Sequence, residues 1–336
     1  MKKWKDASSL IVMVANITSK TDLKKPNFHL LKLRKKSEYF PKISVFPGGS
    51  VSPADYSSEW IHIFQGGDCK FGSNQTSDKN LSSVDDYDMP KSIFLKITAI
   101  RETFEECGLL LCKYNNNKLN EPFAQHFQIE SIDFWRNKVI NDPFQFINLC
   151  KEFKCYPNIE VIYPWSNWLT PRHIPKKFDA KFFITTLVNK EPVTPDNIEI
   201  ESCGWFSPEE LLKMGENGDI LLLPPQFYEI SRLKNICEFD KIMKVIKEKS
   251  EDDVNPMMPV WMETNSGSIG LLPGDQMYSE KLNLHEHKYI DKRDSKMEDL
   301  RCVKMHRIEQ TGSNLKLLVQ NVEGDKNVPF ELRSKL

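Results

Sequence analysis

One uninterrupted amphipathic segment, Ile93–Cys107, limits the fold of this chain more than any other feature. It contains neither Pro nor Gly, and Gly108 follows it directly, so it predicts an α-helix with Ser92 as the N-cap and Gly108 as the stop signal. At about 100° per residue, one face of this helix is apolar and carries Ile93, Ile97, Ile100 and Phe104. Such a face must be buried against a second layer of structure.

The opposite face of the predicted helix carries three carboxylates, Glu102, Glu105 and Glu106. Because these charges repel each other on one helical face, some other group must stabilise them. Two interpretations are open from the spacing alone. Either the face lies in solvent beside Lys96 and Arg101, or it holds a hard divalent cation, which prefers oxygen ligands.

The segments around this helix predict a mixed α/β core. Leu10–Ala15 and Phe28–Arg34 are apolar runs that favour paired strands, and a third short strand ends in the turn Pro47-Gly48-Gly49. Phe178–Leu187 also favours a strand, and Ser207 with Pro208 marks the start of a helix. We therefore expect one α/β domain over residues 7–250 and a β-rich C-terminal appendage and tail over residues 251–336.

Further local predictions follow from the same patterns. We expect a strand at Leu109–Cys112, a loop at Trp165–Pro175 and a helix over Pro224–Lys249. A hairpin is expected around Thr311–Asn314. Residues 65–91 are rich in Gly, Ser, Asn and Asp and have few apolar residues, which predicts a long exposed loop.

Composition excludes several classes of protein. With 46 Lys plus Arg against 47 Asp plus Glu, the net charge of −1 lacks the basic excess of a protein that binds nucleic acid mainly through phosphates. The sequence has no run of 18 apolar residues, so we expect no transmembrane helix and no membrane partner. The equal spacing of Cys107/Cys112 and Cys150/Cys155 is interpreted as accidental rather than as disulfide pairing.

The strongest motif is the run Arg101-Glu102-Thr103-Phe104-Glu105-Glu106-Cys107-Gly108-Leu109, which resembles the second half of the Nudix box. This box is the signature of the Nudix hydrolase family. Its opening glycine is matched by Gly49, and Asp55 stands where the family pattern has a glutamate. The resemblance therefore implies a box that is split by an insertion at about residues 56–91.

Five stretches resemble one branch of this family, the peroxisomal coenzyme A diphosphatases. They are Val45–Asp55, Trp168–Pro171, Phe178–Phe183, Pro224–Leu233 and Leu272–Tyr278. Coenzyme A diphosphatases also carry a signature before the box, which Leu30–Arg34 and Phe46–Gly49 match. The inner Arg and Gly of that signature are replaced here by Glu38 and Lys42.

The resemblance implies a Nudix-type α/β/α sandwich with a mixed β-sheet, a long insertion in the box and a C-terminal β-rich appendage. It implies that Mg²⁺ or Mn²⁺ is held by Glu102, Glu105 and Glu106, and that Arg101 positions these glutamates by salt bridges. Gly48 and Gly49 would let the loop pass close to the helix. The general base would be a glutamate of the box or a later carboxylate such as Glu201.

The implied reaction is the hydrolysis of the diphosphate bond of coenzyme A or acyl-coenzyme A to 3′,5′-ADP and 4′-phosphopantetheine or its acyl form. Arg34 and Lys35 are the candidate residues for binding the 3′-phosphate. Two alternatives stay open: a Nudix hydrolase of another nucleoside diphosphate derivative, such as NADH, and a non-catalytic binding module that kept the fold.

The sequence ends in Ser334-Lys335-Leu336, the tripeptide that the peroxisomal import receptor recognises at a C-terminus. We therefore predict that this receptor is a partner of the chain and that the protein is located in the peroxisome.

Overall fold

A computed structural model describes residues 4–15, 28–36, 42–65, 89–114, 123–236, 238–279 and 289–322 of the chain. Glu38, the middle of the predicted insertion and the tripeptide Ser334–Leu336 lie outside the described residues. In the part that the structure describes, every helix is too short or too polar to cross a membrane.

The chain forms sixteen strands and seven α-helices in its described part. The strands are β1 (Lys5–Ala15), β2 (Phe28–Lys35), β3 (Ile43–Val45), β4 (Gly48–Ser50), β5 (Cys112–Tyr114), β6 (Cys155–Pro157), β7 (Tyr163–Leu169), β8 (Phe178–Leu187), β9 (Ile200–Phe206), β10 (Leu221–Leu222), β11 (Pro256–Met257), β12 (Val260–Thr264), β13 (Gly267–Leu271), β14 (Ile290–Lys292), β15 (Met305–Thr311) and β16 (Asn314–Gln320). The helices are α1 (Glu59–Gln65), α2 (Lys91–Cys107), α3 (Ile132–Asn141), α4 (Gln145–Glu152), α5 (Pro208–Glu216), α6 (Pro224–Ile236) and α7 (Phe239–Glu248).

A mixed sheet lies at the centre, with strand order β10-β3-β2-β1-β8-β7-β11, and β4 and β9 add to β1 and β2. Strand β1 is parallel to β8 and antiparallel to β2. Because side chains alternate along a strand, β1 supplies both faces of the sheet. Leu10 and Val12 join the core that contains α2, whereas Ile11 and Met13 join the core that contains α6 and α7. The expected α/β/α sandwich is therefore confirmed.

The C-terminal residues form a second sheet with strand order β14-β12-β13-β15-β16. This sheet packs on the α6 side of the first domain, where Leu315 and Leu317 contact the second core. A buried hydrogen bond, 3.0 Å between Tyr228 Oη and His306 Nε2, also links the two parts. The β-rich appendage is thus docked on the sandwich, and β11 still belongs to the first sheet.

Several local predictions are confirmed at the residue level. The strand Phe178–Leu187 is β8, and the hairpin around Thr311–Asn314 joins β15 to β16. Ser207 caps α5, with Pro208 as its first residue, and forms a capping box with Glu210.

One strand prediction and one loop prediction are wrong because these residues pair with segments that are distant in the sequence. The predicted strand Leu109–Cys112 is regular only from Cys112, because the N–H of Leu110 donates to His126 Nδ1 (3.1 Å) and the Leu110 carbonyl accepts from Phe127 (2.7 Å). The loop predicted at Trp165–Pro175 begins as part of β7, which pairs with β8. Pro164 of β7 lies at a bulge where the ladder is interrupted.

Two helix predictions need correction. The helix predicted over Pro224–Lys249 is two helices, α6 and α7, which are separated by a short break. Ser92 is not the N-cap, because α2 already begins at Lys91 and Pro90 occupies the cap position without a side-chain hydrogen bond. Gly108 does end the helix in the left-handed conformation, as predicted (φ 77°).

The insertion predicted at about residues 56–91 begins as a packed element, ahead of the loop predicted over residues 65–91. Trp60, Ile63 and Phe64 of α1 are buried in the core beside α2. The described start of the insertion is therefore part of the core. The polar residues that follow dominate the composition of the insertion, so composition did not indicate this short apolar group.

Candidate active site

A buried ion pair fixes the centre of the site. Arg101 Nε and Nη2 donate to Asp55 Oδ1 and Oδ2 at 2.7 and 2.8 Å, and both side chains are almost fully buried. Thr98 Oγ1 and the backbone N–H of Ser52 each donate to Asp55 Oδ2 at 2.8 Å. Asp55, which stands at the glutamate position of the split box, is thus joined to the second half of the box despite the intervening insertion.

Arg101 also reaches the carboxylates of α2. Its Nη1 lies 2.7 Å from Glu105 Oε1 and 3.0 Å from Glu102 Oε1. Burial alone would lower the pKa of the guanidinium, but Asp55 and the two glutamates outweigh it and raise that pKa well above its usual value. Arg101 therefore stays charged and positions two of the three predicted metal ligands.

Glu106, on the same helix, is held by residues other than Arg101. Its Oε2 accepts a 2.8 Å hydrogen bond from the N–H of Gly48, and Lys35 Nζ lies 3.3 Å from its Oε1. Arg101 thus holds Glu102 and Glu105, whereas Gly48 and Lys35 hold Glu106. Glu106 is buried and the other two are half-buried, so the interpretation of a fully solvated charged face is wrong.

Burial dominates the protonation of these carboxylates. It raises the pKa of Glu102, that of Glu105 to about 7 and that of Glu106 to about 8, although Arg101 and Lys35 oppose the shift. Carboxylates that are costly to ionise in the metal-free protein are the groups that a divalent cation would stabilise.

The two glycines of the turn are required by close contacts. A Cβ atom at Gly48 (φ 150°) would lie 2.2 Å from the Ser8 carbonyl oxygen, and one at Gly49 would lie 2.5 Å from the Glu102 carboxylate. A side chain at Gly48 would collide with the backbone of β1, and a side chain at Gly49 would occupy the space of the Glu102 carboxylate. Glycine leaves both spaces free.

The two candidate phosphate-binding residues point to opposite sides of β2, as neighbours on a strand must. Lys35 faces the glutamates, and its Nζ is also 3.7 Å from Glu199 Oε2. Arg34 instead donates to the carbonyl of Asp219 (2.7 Å), next to Lys42, whose Nζ donates to Gly218. Lys42 has φ 71°, which fits the glycine that the family signature has at this position.

Sequence reasoning missed Glu199 as a residue of the site. Its exposed side chain lines the cavity and lies 3.7 Å from Lys35, whereas Glu201, also exposed, does not line the cavity. The pairing of β2 with β9 brings this region to the site, with a bulge between Arg34 and Lys35. Because Lys35 pairs with Ile200 and Arg34 with Ser202, the bulge passes over Glu201, while Glu199 precedes β9.

A cavity of about 1120 Å³ opens beside the glutamates, between the first domain and the C-terminal sheet. Gly48, Gly49, Glu102, Lys35 and Glu199 line its polar end. All five stretches that resemble the coenzyme A diphosphatase branch contribute to its wall, as illustrated by Phe46, Trp168, Phe182, Gln226 and Leu272.

The residues of this face fit a hard divalent ion. The donor set is carboxylate oxygen, and Glu106 Oε1 is buried and receives no hydrogen bond from the described residues beyond its ion pair with Lys35. Among the described residues, one group of three ligand atoms lies within 4.8 Å of one another: the sulfurs of Cys112, Cys150 and Cys155, buried in the core. These three cysteines are free, and their soft sulfur atoms do not suit Mg²⁺.

Comparison with known proteins gives two matching family models. A model described as the NUDT19 Nudix domain matches residues 4–233, and one described as the NUDT19 C-terminal domain matches residues 262–317. These matches cover the sandwich and most of the C-terminal sheet.

Two similar proteins share the name acyl-coenzyme A diphosphatase NUDT19. The one from Xenopus laevis is 34% identical over 86% of this chain and 84% of its own length, and the one from Homo sapiens is 30% identical over 85% and 83%. A solved Nudix hydrolase from Alicyclobacillus acidocaldarius has a TM-score of 0.53 at 17% identity, and the match covers 73% of this chain and 97% of the other. This likeness supports the fold.

Proposed function

This chain belongs to the NUDT19 family of Nudix hydrolases and is therefore an enzyme, and from this membership we propose that it hydrolyses the diphosphate bond of coenzyme A and acyl-coenzyme A. The products would be 3′,5′-ADP and 4′-phosphopantetheine or its acyl form. One observation carries the proposal: Glu102 lines a cavity to which all five branch-like stretches contribute, and Arg101, Gly48 and Lys35 hold the three glutamates of the box beside it.

The proposal includes a divalent cation, Mg²⁺ or Mn²⁺, held by Glu102, Glu105 and Glu106. When bound, such an ion neutralises charge on the diphosphate and makes a water molecule a better nucleophile. The buried carboxylates support this role because their pKa values are raised in the metal-free protein.

The residues around the glutamates would act by positioning. Asp55 holds Arg101, which in turn holds Glu102 and Glu105, so the carboxylates are fixed before substrate arrives. The Gly48 N–H orients Glu106, and Lys35 supplies a positive charge beside it. Lys35 is thus the better of the two candidates for contact with an anionic substrate, because Arg34 faces away from the glutamates.

A substrate panel tests this proposal. The purified protein is incubated with coenzyme A, octanoyl-coenzyme A, NADH and ADP-ribose, with Mg²⁺, with Mn²⁺ and with a chelator, and the products are identified by mass spectrometry. We expect cleavage of both coenzyme A compounds at the diphosphate, only when metal is present. Preferential cleavage of NADH or ADP-ribose would contradict the substrate, and no cleavage of any compound would contradict catalysis.

We also propose that the protein is imported into peroxisomes through Ser334-Lys335-Leu336. Because a receptor reads the free C-terminus, deletion of these three residues should move an N-terminally tagged protein from peroxisomes to the cytosol. Activity and thermal stability should not change. Unaltered peroxisomal staining after the deletion would show that another signal acts.

A further inference from the structure

The cavity is larger than the glutamate site needs. A volume of about 1120 Å³ exceeds the upper end of the usual range for sites that enclose a drug-sized ligand, about 300–1,000 Å³. Glu102, Glu199 and Lys35 belong to the part of it beside the box. The rest extends between the first domain, where Trp168, Lys176 and Phe178 line it, and the strands of the C-terminal sheet.

The wall that the C-terminal sheet contributes is uncharged in its described residues, and most of it is apolar. Trp261 of β12, Leu272 after β13, Ile308 of β15 and Leu315 of β16 lie along it. The indole N–H of Trp261 donates to Glu263 at 2.5 Å, so its polar atom is satisfied outside the cavity and the ring offers an apolar surface.

This chemistry distinguishes between the two halves of a coenzyme A molecule. The nucleotide half carries a 3′-phosphate, which requires cationic partners. The acyl-pantetheine half is long and mainly apolar at its far end, so it gains from burial against apolar side chains. Both lysines that line the cavity, Lys35 and Lys176, lie on the first domain, so the uncharged wall of the C-terminal sheet suits the second half.

We infer that the C-terminal sheet forms the binding wall for the acyl-pantetheine arm of the substrate, with Trp261 and Gly270 as residues that determine acyl-chain specificity. This inference rests on the proposed function, because it uses the glutamates to fix the diphosphate. It gives the C-terminal domain a defined role: it lengthens the site of the sandwich into one that selects for a fatty acyl chain.

Gly270 provides the sharpest test. It lies in the middle of β13, opposite Trp261 on one side and Ile308 on the other, and it lines the cavity. A Cβ atom there would meet its nearest neighbours, which include Trp261 and Pro259, at 3.9 Å, which is ordinary contact. Gly270→Val should therefore be accepted by the strand while its methyl groups fill part of the cavity.

The experiment measures kcat and KM for free, octanoyl- and palmitoyl-coenzyme A with four proteins: the intact enzyme, Gly270→Val, Trp261→Ala and Val303→Ala. Val303 is 72% exposed on the same domain and does not line the cavity, so it serves as the matched control. Burial of one methylene group increases affinity about fourfold, so the loss of contacts with several methylene groups should change KM measurably.

We expect Gly270→Val to raise KM for the two acyl substrates at least tenfold and to change that for free coenzyme A less than twofold. Trp261→Ala should weaken the preference for octanoyl- over free coenzyme A, and Val303→Ala should behave as the intact enzyme. Equal changes for all three substrates, or none, in both cavity variants would overturn the inference.

A binding measurement separates this inference from the proposed function. Calorimetry in the presence of chelator compares octanoyl-coenzyme A with coenzyme A on the same four proteins. The inference is supported if the intact protein binds octanoyl-coenzyme A more tightly than coenzyme A and if Gly270→Val or Trp261→Ala removes this difference. This holds even if the intact enzyme hydrolyses neither compound. Equal binding of the two compounds to the intact protein would overturn the inference, even if hydrolysis occurs.

Discussion

Two buried ion pairs in this protein have the same local geometry and different surroundings. Arg101 binds Asp55 through two hydrogen bonds of 2.7 and 2.8 Å, and Arg307 binds Asp275 through two of 2.7 Å. All four side chains are almost fully buried. The first pair lies beneath the glutamates of the sandwich, and the second lies in the C-terminal part of the chain.

The groups that surround each pair differ in kind. Arg101 continues to the carboxylates of Glu102 and Glu105, whereas Arg307 continues to the Leu300 carbonyl, and Asp275 accepts from the His306 N–H. One pair is thus connected to candidate metal ligands, and the other to backbone groups that shape a loop. A buried bidentate ion pair therefore does not by itself indicate function, because the further contacts of the arginine and the aspartate decide which groups the pair positions.

The largest effect should come from removing a ligand that only the first region has. Glu106→Gln should lower kcat on the order of a thousandfold while the fold persists, because it removes one negative charge from the metal site. Steady-state hydrolysis of coenzyme A at saturating Mg²⁺ measures this. Glu248→Gln, on the exposed face of α7, is the control and should have normal kcat. Near-normal turnover by Glu106→Gln would refute the metal assignment.

The next effect tests the comparison itself. Asp275→Asn should reduce the free energy of unfolding by about 3 kcal/mol, because it leaves the buried guanidinium of Arg307 without its bidentate carboxylate partner. Asp55→Asn should reduce it by less, because Arg101 keeps its contacts with Glu102 and Glu105. Only Asp55→Asn should also lower kcat, by at least tenfold, since only Arg101 positions the glutamates. Chemical denaturation and kinetics on both variants check this. A similar loss of kcat in Asp275→Asn would remove the distinction between the two pairs.

A smaller effect concerns the pH dependence of stability without metal. Glu105 and Glu106 have folded-state pKa values of about 7 and about 8, above the ordinary 4.5, so the folded protein binds protons more tightly than the unfolded chain. Stability should therefore fall as the pH rises from about 5 to about 8. Thermal unfolding in chelator follows this change.

Two additions sharpen that measurement. Saturating Mg²⁺ should flatten the pH dependence, because the ion replaces the protons as the partner of the carboxylates. The double variant Glu105→Gln/Glu106→Gln should flatten it without metal. Burial lowers the pKa values of His29, His126 and His173, which gives a pH dependence of the opposite sign, so the double variant is the reference. An intact metal-free protein whose stability changes with pH in the same way as that of the double variant would contradict the burial of these carboxylates.

The sequence alone predicted the features that depend on neighbouring residues. The carboxylate face of α2 follows from helical spacing, and the turn at Gly48 and Gly49 from the family motif. Asp55 was matched to the box by counting from Gly49, and the structure brings it to Arg101. These positions share one short stretch or one motif, so their arrangement is encoded locally.

The features that sequence reasoning missed depend on pairing between distant segments. Lys35 faces the glutamates and Arg34 does not, because β2 presents alternate residues to its two sides. Glu199, just before β9, lines the cavity and Glu201 does not, because the pairing of β9 with β2 passes over Glu201 at a bulge. The uncharged wall of β12 and β13 has no motif of its own, since ordinary apolar residues become a binding surface only through the docking of the second sheet.

The most direct test of the whole account is a crystal structure of Glu106→Gln grown with octanoyl-coenzyme A and Mg²⁺. We expect the diphosphate to lie beside Glu102 and Glu105, and the acyl-pantetheine arm to lie in the cavity against Trp261 and Gly270. The nucleotide should lie outside that uncharged wall. A structure with the 3′-phosphate nucleotide against Trp261, or with the diphosphate remote from the glutamates, would contradict it.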